Sequence, residues 1–368
     1  MLITKFGLKH ISSSAMKNRI FNLKPFFLTG LLLASAYLGA KANEYYTLDE
    51  ALKNPHDVTV LNLDYDPLFG ASEAITTLPD EILIFKNLRV LSLRKNKLKD
   101  LPGCIAKLPK LEEIFLENNE LESLPYCIYH AASLKKLSLN NNRIDTLLPE
   151  IGNLRTLEEL IISNNSIHAL PEELFLLDKL KVLEVNNNRL TEINMVILLL
   201  NLESLNISGN LISQLPAEFG KLGQLKTLNI SGNQLKELPQ SVENLFNLEN
   251  LEAAFNQLTA LPSMANFQKL LTLNIGGNAI LSLPKDFGKA VHLQIFYAWN
   301  NQLESLPASI NQLDNLFQIN LYNNKLTTLD LEPSKLKALQ FLMIGGNSFS
   351  QETLAEIENR FKQVTIFI

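Results

Sequence analysis

The chain has 368 residues, a formal net charge of -5 and 46% hydrophobic residues. Glycine and proline number 15 each, which excludes collagen and low-complexity disorder, and two cysteines are too few for a disulfide-dense miniprotein. Charges of both signs are dispersed, so the basic field that holds nucleic acid is missing. The composition therefore predicts a globular protein with no nucleic-acid partner.

Residues 1–42 are typical of a secretory signal peptide. An apolar run over residues 26–38 follows basic residues and precedes Ala40-Lys41-Ala42, so cleavage would leave Asn43 first. Met16 also has the context of a natural start, which would make residues 1–15 an upstream extension. A retained N-terminal anchor is the alternative, but a membrane span takes about 20 apolar residues and this run is shorter, which favours cleavage. We expect a secreted, periplasmic or cell-surface protein that contacts the membrane only transiently.

Residues 43–87 predict an N-terminal cap and an irregular first repeat. The segment Thr47-Leu48-Asp49-Glu50 has the spacing of a capping box and predicts a short helix through Lys53. A first strand is expected from Val58 to Leu63. The spacing of the following residues then indicates an inserted loop at residues 67–76.

Residues 88–349 contain twelve repeats of the pattern LxxLxLxxNxL. The asparagine of the pattern recurs every 22 or 23 residues, at Asn96, Asn119, Asn142, Asn165, Asn188, Asn210, Asn233, Asn256, Asn278, Asn301, Asn324 and Asn347. Alternation in LxL places both leucines on one side of an extended segment. Because one repeat cannot bury its leucines alone, the coils must stack, which predicts a parallel sheet over a continuous apolar core.

The turns and ends of the array can also be predicted. The asparagine amide can donate to and accept from turn backbone, so we interpret this column as structural; glycosylation of Asn164 or Asn206, which lie in NxS/T sequences, is the rival interpretation. Each repeat usually closes with LPxxIxxL, which favours a short helical or 3-10 segment on the outer side. Residues 350–368 predict a C-terminal cap with a helix over residues 351–362 and a last strand over residues 364–368.

The repeat resembles that of the leucine-rich-repeat family, in particular its exported bacterial members with repeats of 22 or 23 residues, over residues 58–349. The resemblance implies an α/β fold, a right-handed solenoid with a parallel sheet on its concave face and short helical or 3-10 segments on its convex face. It also implies that the concave face mediates protein–protein recognition. Binding of glycans or cell wall, or a role as an envelope scaffold, is the alternative function.

No sequence motif predicts catalysis. No histidine stands at metal-ligand spacing from a cysteine or carboxylate, and the patterns GxGxxG, GxxxxGK[ST], GxSxG and HExxH are missing. The glycine pairs Gly276-Gly277 and Gly345-Gly346 are interpreted as turn glycines that precede the repeat asparagine. We therefore expect a binding protein without metal or cofactor rather than an enzyme.

Cys104 and Cys127 occupy the same position in adjacent repeats, 23 residues apart. Stacked coils place equivalent Cα atoms about 5 Å apart, inside the range of about 4.4 to 6.8 Å for a disulfide. The spacing therefore suggests a bridge. Two separate thiols are the alternative, because the Cβ vectors of stacked positions run parallel.

The residues between the leucines of each strand should form the partner-binding wall. The early repeats place there a charged stretch with two large apolar side chains: Arg94, Lys95, Glu113, Phe115, Glu117, Lys136, Glu159, Ile161 and Glu184. The middle repeats have small polar residues instead. The last three repeats contribute Ile295, Tyr297, Trp299, Tyr322, Phe341 and Met343. Because Trp and Tyr dominate interface energetics, we expect Tyr297, Trp299 and Tyr322 to anchor a protein or peptide, with a glycan as the alternative ligand.

A second predicted contact lies on the outer side of the array. Apolar residues replace the usual polar ones at Phe175 and Leu176, and again in the next coil at Leu198 and Leu199. A homodimer interface would explain them. The alternative is that the outer segment of the second coil, which lacks its proline and is one residue short, turns some of these side chains inward.

Overall fold

A computed structural model describes residues 43–67, 73–103 and 105–368. The predicted signal peptide and part of the inserted loop lie outside the described residues, as does Cys104, so the predicted bridge from Cys104 to Cys127 stays a prediction. Within the described ranges, no helix has the length and apolar character that crossing a membrane requires.

Short strands dominate the described part of the chain and form one sheet of fifteen strands, in which each strand neighbours the next along the sequence. Neighbouring strands from β2 onward pair in parallel. The strands are β1 (Glu44–Tyr45), β2 (Val60–Asn62), β3 (Val90–Ser92), β4 (Glu113–Phe115), β5 (Lys136–Ser138), β6 (Glu159–Ile161), β7 (Val182–Glu184), β8 (Ser204–Asn206), β9 (Thr227–Asn229), β10 (Asn250–Glu252), β11 (Thr272–Asn274), β12 (Ile295–Tyr297), β13 (Gln318–Asn320), β14 (Phe341–Met343) and β15 (Thr365–Phe367). This is the parallel solenoid sheet that the repeat predicts.

The outer side of the array consists of 3-10 helices and turns, as the LPxxIxxL segment predicts. The described residues include the 3-10 helices Asp80–Ile84, Ile105–Lys107, Tyr126–His130, Pro149–Asn153, Glu172–Leu176, Asn194–Leu198, Phe219–Lys221, Gln240–Asn244, Phe287–Lys289 and Ala308–Gln312. A proline immediately precedes several of them, with an extended backbone that ends the previous segment. These helices are short because the i to i+3 hydrogen bond is strained in longer runs.

Both caps form as expected, with slightly shorter helices. Helix α1 (Leu48–Ala51) begins at Thr47, whose hydroxyl accepts a hydrogen bond of 3.3 Å from the Glu50 backbone N–H. Helix α2 (Gln351–Arg360) begins at Ser350, which caps Thr353 in the same way at 3.1 Å. It covers the last coil with Ile357, which is buried.

The core runs along the array as one apolar cluster. The two aliphatic residues of the LxL pattern are buried, as Leu91 and Leu93 illustrate, while the other strand residues of most coils are half-exposed, as in β4. Each buried leucine contributes about 1.5 to 3 kcal/mol, so stacking offsets the chain entropy of a narrow molecule. Phenylalanines replace the aliphatic residues in the later coils at Phe219, Phe287 and Phe296.

The repeat asparagines join adjacent coils. Asn119 donates from Nδ2 to the carbonyls of Leu93 (2.8 Å) and Leu116 (3.1 Å), and its Oδ1 accepts from the Leu98 backbone N–H (3.0 Å). The other repeat asparagines make the same kind of contacts, from Asn96 to Asn347. No buried side-chain nitrogen or oxygen in the described ranges lacks a hydrogen-bond partner. The predicted structural role of the asparagine column is confirmed.

The residue before each repeat asparagine has a positive φ. This turn position is filled by Asn118, Asn141, Asn164, Asn187, Gly209, Gly232, Gly277, Asn300, Asn323 and Gly346, with Lys95 and Phe255 as the exceptions, and φ lies between 50° and 69° throughout. Asparagine and glycine tolerate this left-handed conformation, whereas a bulky aromatic residue rarely adopts it. Phe255, with a φ of 54°, is therefore the notable departure.

Candidate functional site

The side of the sheet opposite the core is lined by the first and third residues of each strand and by the second residue after the strand. We call this surface the open face. In β12, for example, it comprises Ile295, Tyr297 and Trp299, which alternate with the buried Phe296 and Ala298. Each coil presents the same three positions, so the open face is a continuous strip whose chemistry changes from coil to coil.

The open face gathers large apolar and aromatic side chains between β10 and β14. Parallel pairing aligns Ile295, Gln318 and Phe341 in one row and Tyr297, Asn320 and Met343 in the next. With two rings that sequence analysis missed, the set is Phe255, Ile295, Tyr297, Trp299, Phe317, Tyr322, Phe341 and Met343, which we call the aromatic patch. The structure thus brings together the six residues expected there.

Trp299 lies across the coil that precedes its own. A Cβ atom placed on Gly276 would come within 2.2 Å of the indole Cε2, so the indole rests directly on the glycine backbone. Phe255, from the coil before that, meets the indole in a T-shaped contact with ring centroids 5.0 Å apart. Phe255 is 61% exposed, so its strained backbone, with positive φ, holds an aromatic ring in solvent.

Tyr322 leans in the opposite direction. A Cβ atom on Gly345 would lie 2.8 Å from the Tyr322 Cε2, so this ring lies over the coil that follows. The interpretation of both glycine pairs as turn glycines is therefore only half right. Gly277 and Gly346 have positive φ and do form the turn, whereas Gly276 and Gly345 leave room for aromatic rings.

The two rings missed from the sequence have recognisable signals. Phe255 replaces the asparagine or glycine of the turn position, and this departure from the repeat marks it. Phe317 immediately precedes β13 and contacts Phe341 in a T-shaped arrangement with centroids 5.4 Å apart. A comparison of each repeat position between coils, rather than of the strand positions alone, finds both.

Glu252 borders the aromatic patch. Its carboxylate accepts a hydrogen bond of 2.7 Å from Asn274 Nδ2 on the next strand. Burial raises the pKa of Glu252, against the lowering effect of that hydrogen bond. Tyr297 lies in the same row as Glu252 and Asn274, two strands from Glu252. Burial and the Glu252 charge together raise the pKa of Tyr297.

Several charged side chains on the early part of the open face form ion pairs with one another. Arg94 pairs with Glu117 (3.0 Å) and Asp64 (3.4 Å), and its guanidinium lies 4.1 Å from the centroid of the Phe115 ring. Lys136 pairs with Glu159 on the next strand. Of the predicted residues in this region, Arg94, Phe115 and Glu117 thus form one contact group.

Of the other predicted residues of the early open face, Lys95 donates its backbone N–H to the Glu117 carbonyl (2.9 Å), and Glu113 is aligned with Lys136 on the next strand. Ile161 and Glu184 follow Phe115 in the same row on later strands, while Lys95 lies on the adjoining turn. Burial raises the pKa of Glu184, with a nearby Lys136 lowering it. The binding role of these residues stays a prediction.

A ladder of alternating charge runs along the position immediately before each strand. It comprises Arg89, Glu112, Lys135, Glu158, Lys181, Glu203, Lys226 and Glu249. Ion pairs of 2.6 to 3.1 Å join several successive members. The hydrogen bond from Arg89 lowers the pKa of Glu112, and that from Lys181 lowers the pKa of Glu158.

The ladder stops where the aromatic patch begins. Its next positions are Leu271, Gln294, Phe317 and Gln340, and the open-face positions of β11 to β14 are likewise uncharged. The cores of protein interfaces are depleted of charge and enriched in aromatic residues. The first half of the open face is therefore charged, as a solvated surface is, whereas the second half is uncharged and aromatic, as the core of an interface is.

The outer apolar side chains divide between surface and core. Phe175 and Leu198 are exposed and Leu176 is half-buried, but Leu199 is only 2% exposed. The expectation that Leu199 contributes to an outer contact is wrong, because Leu199 holds the last leucine position of the LPxxIxxL segment, which is buried in the preceding coil as well, at Leu177. Pairing of two molecules through Phe175, Leu176 and Leu198 stays a prediction.

Comparisons with known proteins agree with this architecture. The sequence profile of the leucine rich repeat family matches residues 71–121, 86–144, 155–212 and 200–258. A leucine-rich-repeat protein of Leptospira interrogans is 28% identical, with a TM-score of 0.66 over 89% of this chain and 100% of that protein. An internalin of Listeria monocytogenes is 23% identical, with a TM-score of 0.72 over 80% of this chain and 84% of the internalin, which shows the fold alone.

A plant peptide hormone receptor, RGFR1, is also similar. It is 26% identical, with a TM-score of 0.62 over 80% of this chain and 53% of the receptor, and its structure was solved in complex with RGF2. No curated protein matches the chain in sequence. In the described ranges, no group of three or more His, Cys, Asp or Glu side chains is placed to hold a metal ion.

Proposed function

Because the chain is a leucine-rich-repeat protein, we propose that it binds a protein or peptide ligand through the aromatic patch on its open face. The fold is commonly used for protein–protein recognition. One similar protein is a plant peptide hormone receptor, RGFR1, whose structure was solved in complex with RGF2. The ligand-binding residues in this proposal are centred on Tyr297, Trp299 and Tyr322.

The observation that carries the proposal is the coincidence of aromatic rings with the loss of charge. Trp299 and Tyr322 lean over glycines on either side, and their rings are held in place before any ligand arrives. Pre-positioned rings lose little conformational entropy on binding, which favours affinity. Contiguous exposed rings on an otherwise polar strip are also what distinguishes a contact site from scattered apolar residues.

The proposal includes export of the protein to the periplasm, the cell surface or the surroundings of a bacterium. The amino-terminal pattern of basic residues, apolar run and Ala40-Lys41-Ala42 supports it. Amino-terminal sequencing of the mature protein tests this part. A chain that starts at Asn43 is the expected result, and a mature protein that still contains Phe26 would contradict it.

A glycan is the second candidate ligand, because polar amides separate the rings of the aromatic patch. Asn274, Gln318 and Asn320 lie between the aromatic positions on the open face, and amides beside exposed rings also suit sugars. A glycan array distinguishes the two candidates. Specific glycan binding that depends on Trp299 would replace the protein ligand with a carbohydrate.

The protein-binding proposal is tested by crosslinking capture from the envelope and surroundings of the producing organism. Replacing Trp299 and Tyr322 together with alanine should weaken capture by about 2 kcal/mol or more, as expected for anchor residues. Because removal of Trp299 also removes its contact with Phe255, the exposed pair Phe255→Ala with Tyr322→Ala provides a second variant with less effect on packing. Both variants should melt close to the wild-type temperature.

The matched control is Phe246→Ala. Phe246 is 54% exposed but lies outside the open face, in the turn before β10. Its removal should leave capture unchanged. Equal capture by the wild type and both double variants would remove the aromatic patch from consideration as the binding site.

A further inference from the structure

Within the described ranges Glu252, like Glu184, lacks the ion pair that several other carboxylates along the sheet make. The carboxylates of Glu112, Glu117 and Glu159 each pair with a lysine or arginine of a neighbouring coil. Glu252 has no ion pair within the described ranges, and its carboxylate accepts a hydrogen bond from the neutral amide of Asn274. It is also partly buried, so water compensates its charge poorly.

The surroundings of Glu252 on its far side are aromatic. Glu252, Asn274 and Tyr297 stand in one row on β10, β11 and β12, so Glu252 and Tyr297 are about 10 Å apart at the backbone. Trp299 follows Tyr297 on the same face, and Phe255 stands at its edge. Ala254 is buried and the indole of Trp299 covers Gly276, whereas Glu252, Tyr297 and Trp299 are each half-exposed on the open face.

A carboxylate that shares the open face with Tyr and Trp rings is a combination that attracts a cation. The negative face of an aromatic ring attracts an ammonium or guanidinium group within about 6 Å of its centroid. The carboxylate adds a charge-assisted hydrogen bond. A neutral or acidic group in the same place would leave the Glu252 charge uncompensated and would be rejected.

We infer that the ligand presents a lysine or arginine side chain to Glu252, with the cationic group held between this carboxylate and the rings of Tyr297 and Trp299. The inference rests on the proposed function, because it names the chemistry that one end of the aromatic patch recognises. The ligand is then a peptide or protein segment in which a basic residue stands beside an apolar one. The apolar residue would contact Tyr322 and Phe341.

Trp299 allows a direct test because it is the only tryptophan of the chain. Its fluorescence is followed while the intact protein is titrated with short peptides that lack Trp and Tyr. The peptides share one Gly-Ser sequence and carry a single lysine, arginine or norleucine. The lysine and arginine peptides should change the emission saturably, whereas norleucine, which keeps the aliphatic stem without the charge, should bind at least about tenfold more weakly.

Two variants assign the effect to Glu252. Glu252→Gln should weaken the basic peptides about tenfold and leave norleucine unaffected. Glu184→Gln is the matched control: its carboxylate is also partly buried and shifted to a higher pKa, but it lies away from the rings, so this variant should bind as the wild type does. Glu252→Ala repeats the test if the glutamine variant folds poorly.

Equal binding of lysine and norleucine peptides, or of wild type and Glu252→Gln, would overturn the inference. The proposed function is judged separately by the capture experiment with the Trp299 and Tyr322 variants. If capture still requires these rings while basic peptides show no preference for Glu252, only the basic side chain is wrong. If capture does not require the rings, the proposed function fails as well.

Discussion

Phe255 combines backbone strain with an exposed ring. At the same turn position most coils have asparagine or glycine, which adopt positive φ at low cost, whereas a bulky residue there costs about 1 to 2 kcal/mol. The ring gains a T-shaped contact with Trp299 but remains largely in solvent. Strain that is retained for an exposed ring is typical of a binding site.

Phe255→Asn should therefore raise the free energy of unfolding, by about 1 kcal/mol, because relief of strain exceeds the loss of an exposed ring contact. The same variant should weaken ligand binding. Urea denaturation followed by circular dichroism measures the stability, and Asn300→Phe is the reverse control, which should destabilise. A marked loss of stability in Phe255→Asn would show that Phe255 supports the fold instead.

Glu252 makes a second prediction, in which stability depends on pH. Burial raises the pKa of Glu252 in the folded chain, and neither Asn274 nor Tyr297, the groups that face it, supplies a positive charge. Folding therefore favours the protonated form. The contribution of this carboxyl is most favourable below its ordinary pKa of about 4.3 and is lost as pH rises through the higher folded pKa.

Glu252→Gln should consequently melt at a higher temperature than the wild type at pH 7. The difference should shrink as pH falls below about 4.3, where both side chains are neutral. Thermal melts at a series of pH values provide the measurement. A lower melting temperature for Glu252→Gln at pH 7 would mean that the ionised carboxylate stabilises the fold, contrary to the burial argument.

The ladder of alternating charge links the coils of β3 to β10 through the position immediately before each strand. Lys181 illustrates the arrangement, because it pairs with Glu158 at 2.7 Å and lies next to the position of Glu203. The hydrogen bond from Glu158 raises the pKa of Lys181. Alternation matters here because the vertical spacing of the coils is fixed, so like charges at successive positions would repel.

Lys181→Glu should lower the melting temperature, since it places three carboxylates in succession at the ladder. Raising the salt concentration from 0.1 M to 1 M shortens the screening length from about 10 Å to about 3 Å and should recover much of the loss. Lys236→Glu is the control, because Lys236 is exposed and has no ion pair in the described ranges. A salt-independent loss in Lys181→Glu would point to packing rather than repulsion.

The fold of the whole molecule could be predicted from the sequence because each element repeats the same local rule. Leu91 and Leu93 are both buried on the core side of their strand, Asn119 must satisfy turn backbone, and no single coil can bury its leucines alone. These requirements reinforce one another over many coils. Only the stacked parallel sheet satisfies all of them together.

The candidate site could be predicted only in part. Strand alternation was enough to find Tyr297 and Tyr322, because it fixes which side chains leave the core. Alternation could not find Phe255, because its ring reaches the aromatic patch from a turn. It also could not show that Trp299 rests on Gly276, because both features depend on contacts between coils. Leu199 was misplaced because the missing proline obscured its alignment with the regular buried leucine of the outer segment, Leu177 in the preceding coil.

The molecule as a whole thus has an open face with a solvated, self-paired first half and an aromatic, uncharged second half. Site-specific photocrosslinking tests this division most directly. A photoreactive phenylalanine analogue is placed at Tyr322 in the aromatic patch, at Ser208 in the polar middle of the same face, and at Phe246 outside it. We expect a discrete crosslinked ligand at position 322 alone, whereas equal crosslinking at 208 or 246, or none at 322, would contradict this division of the open face.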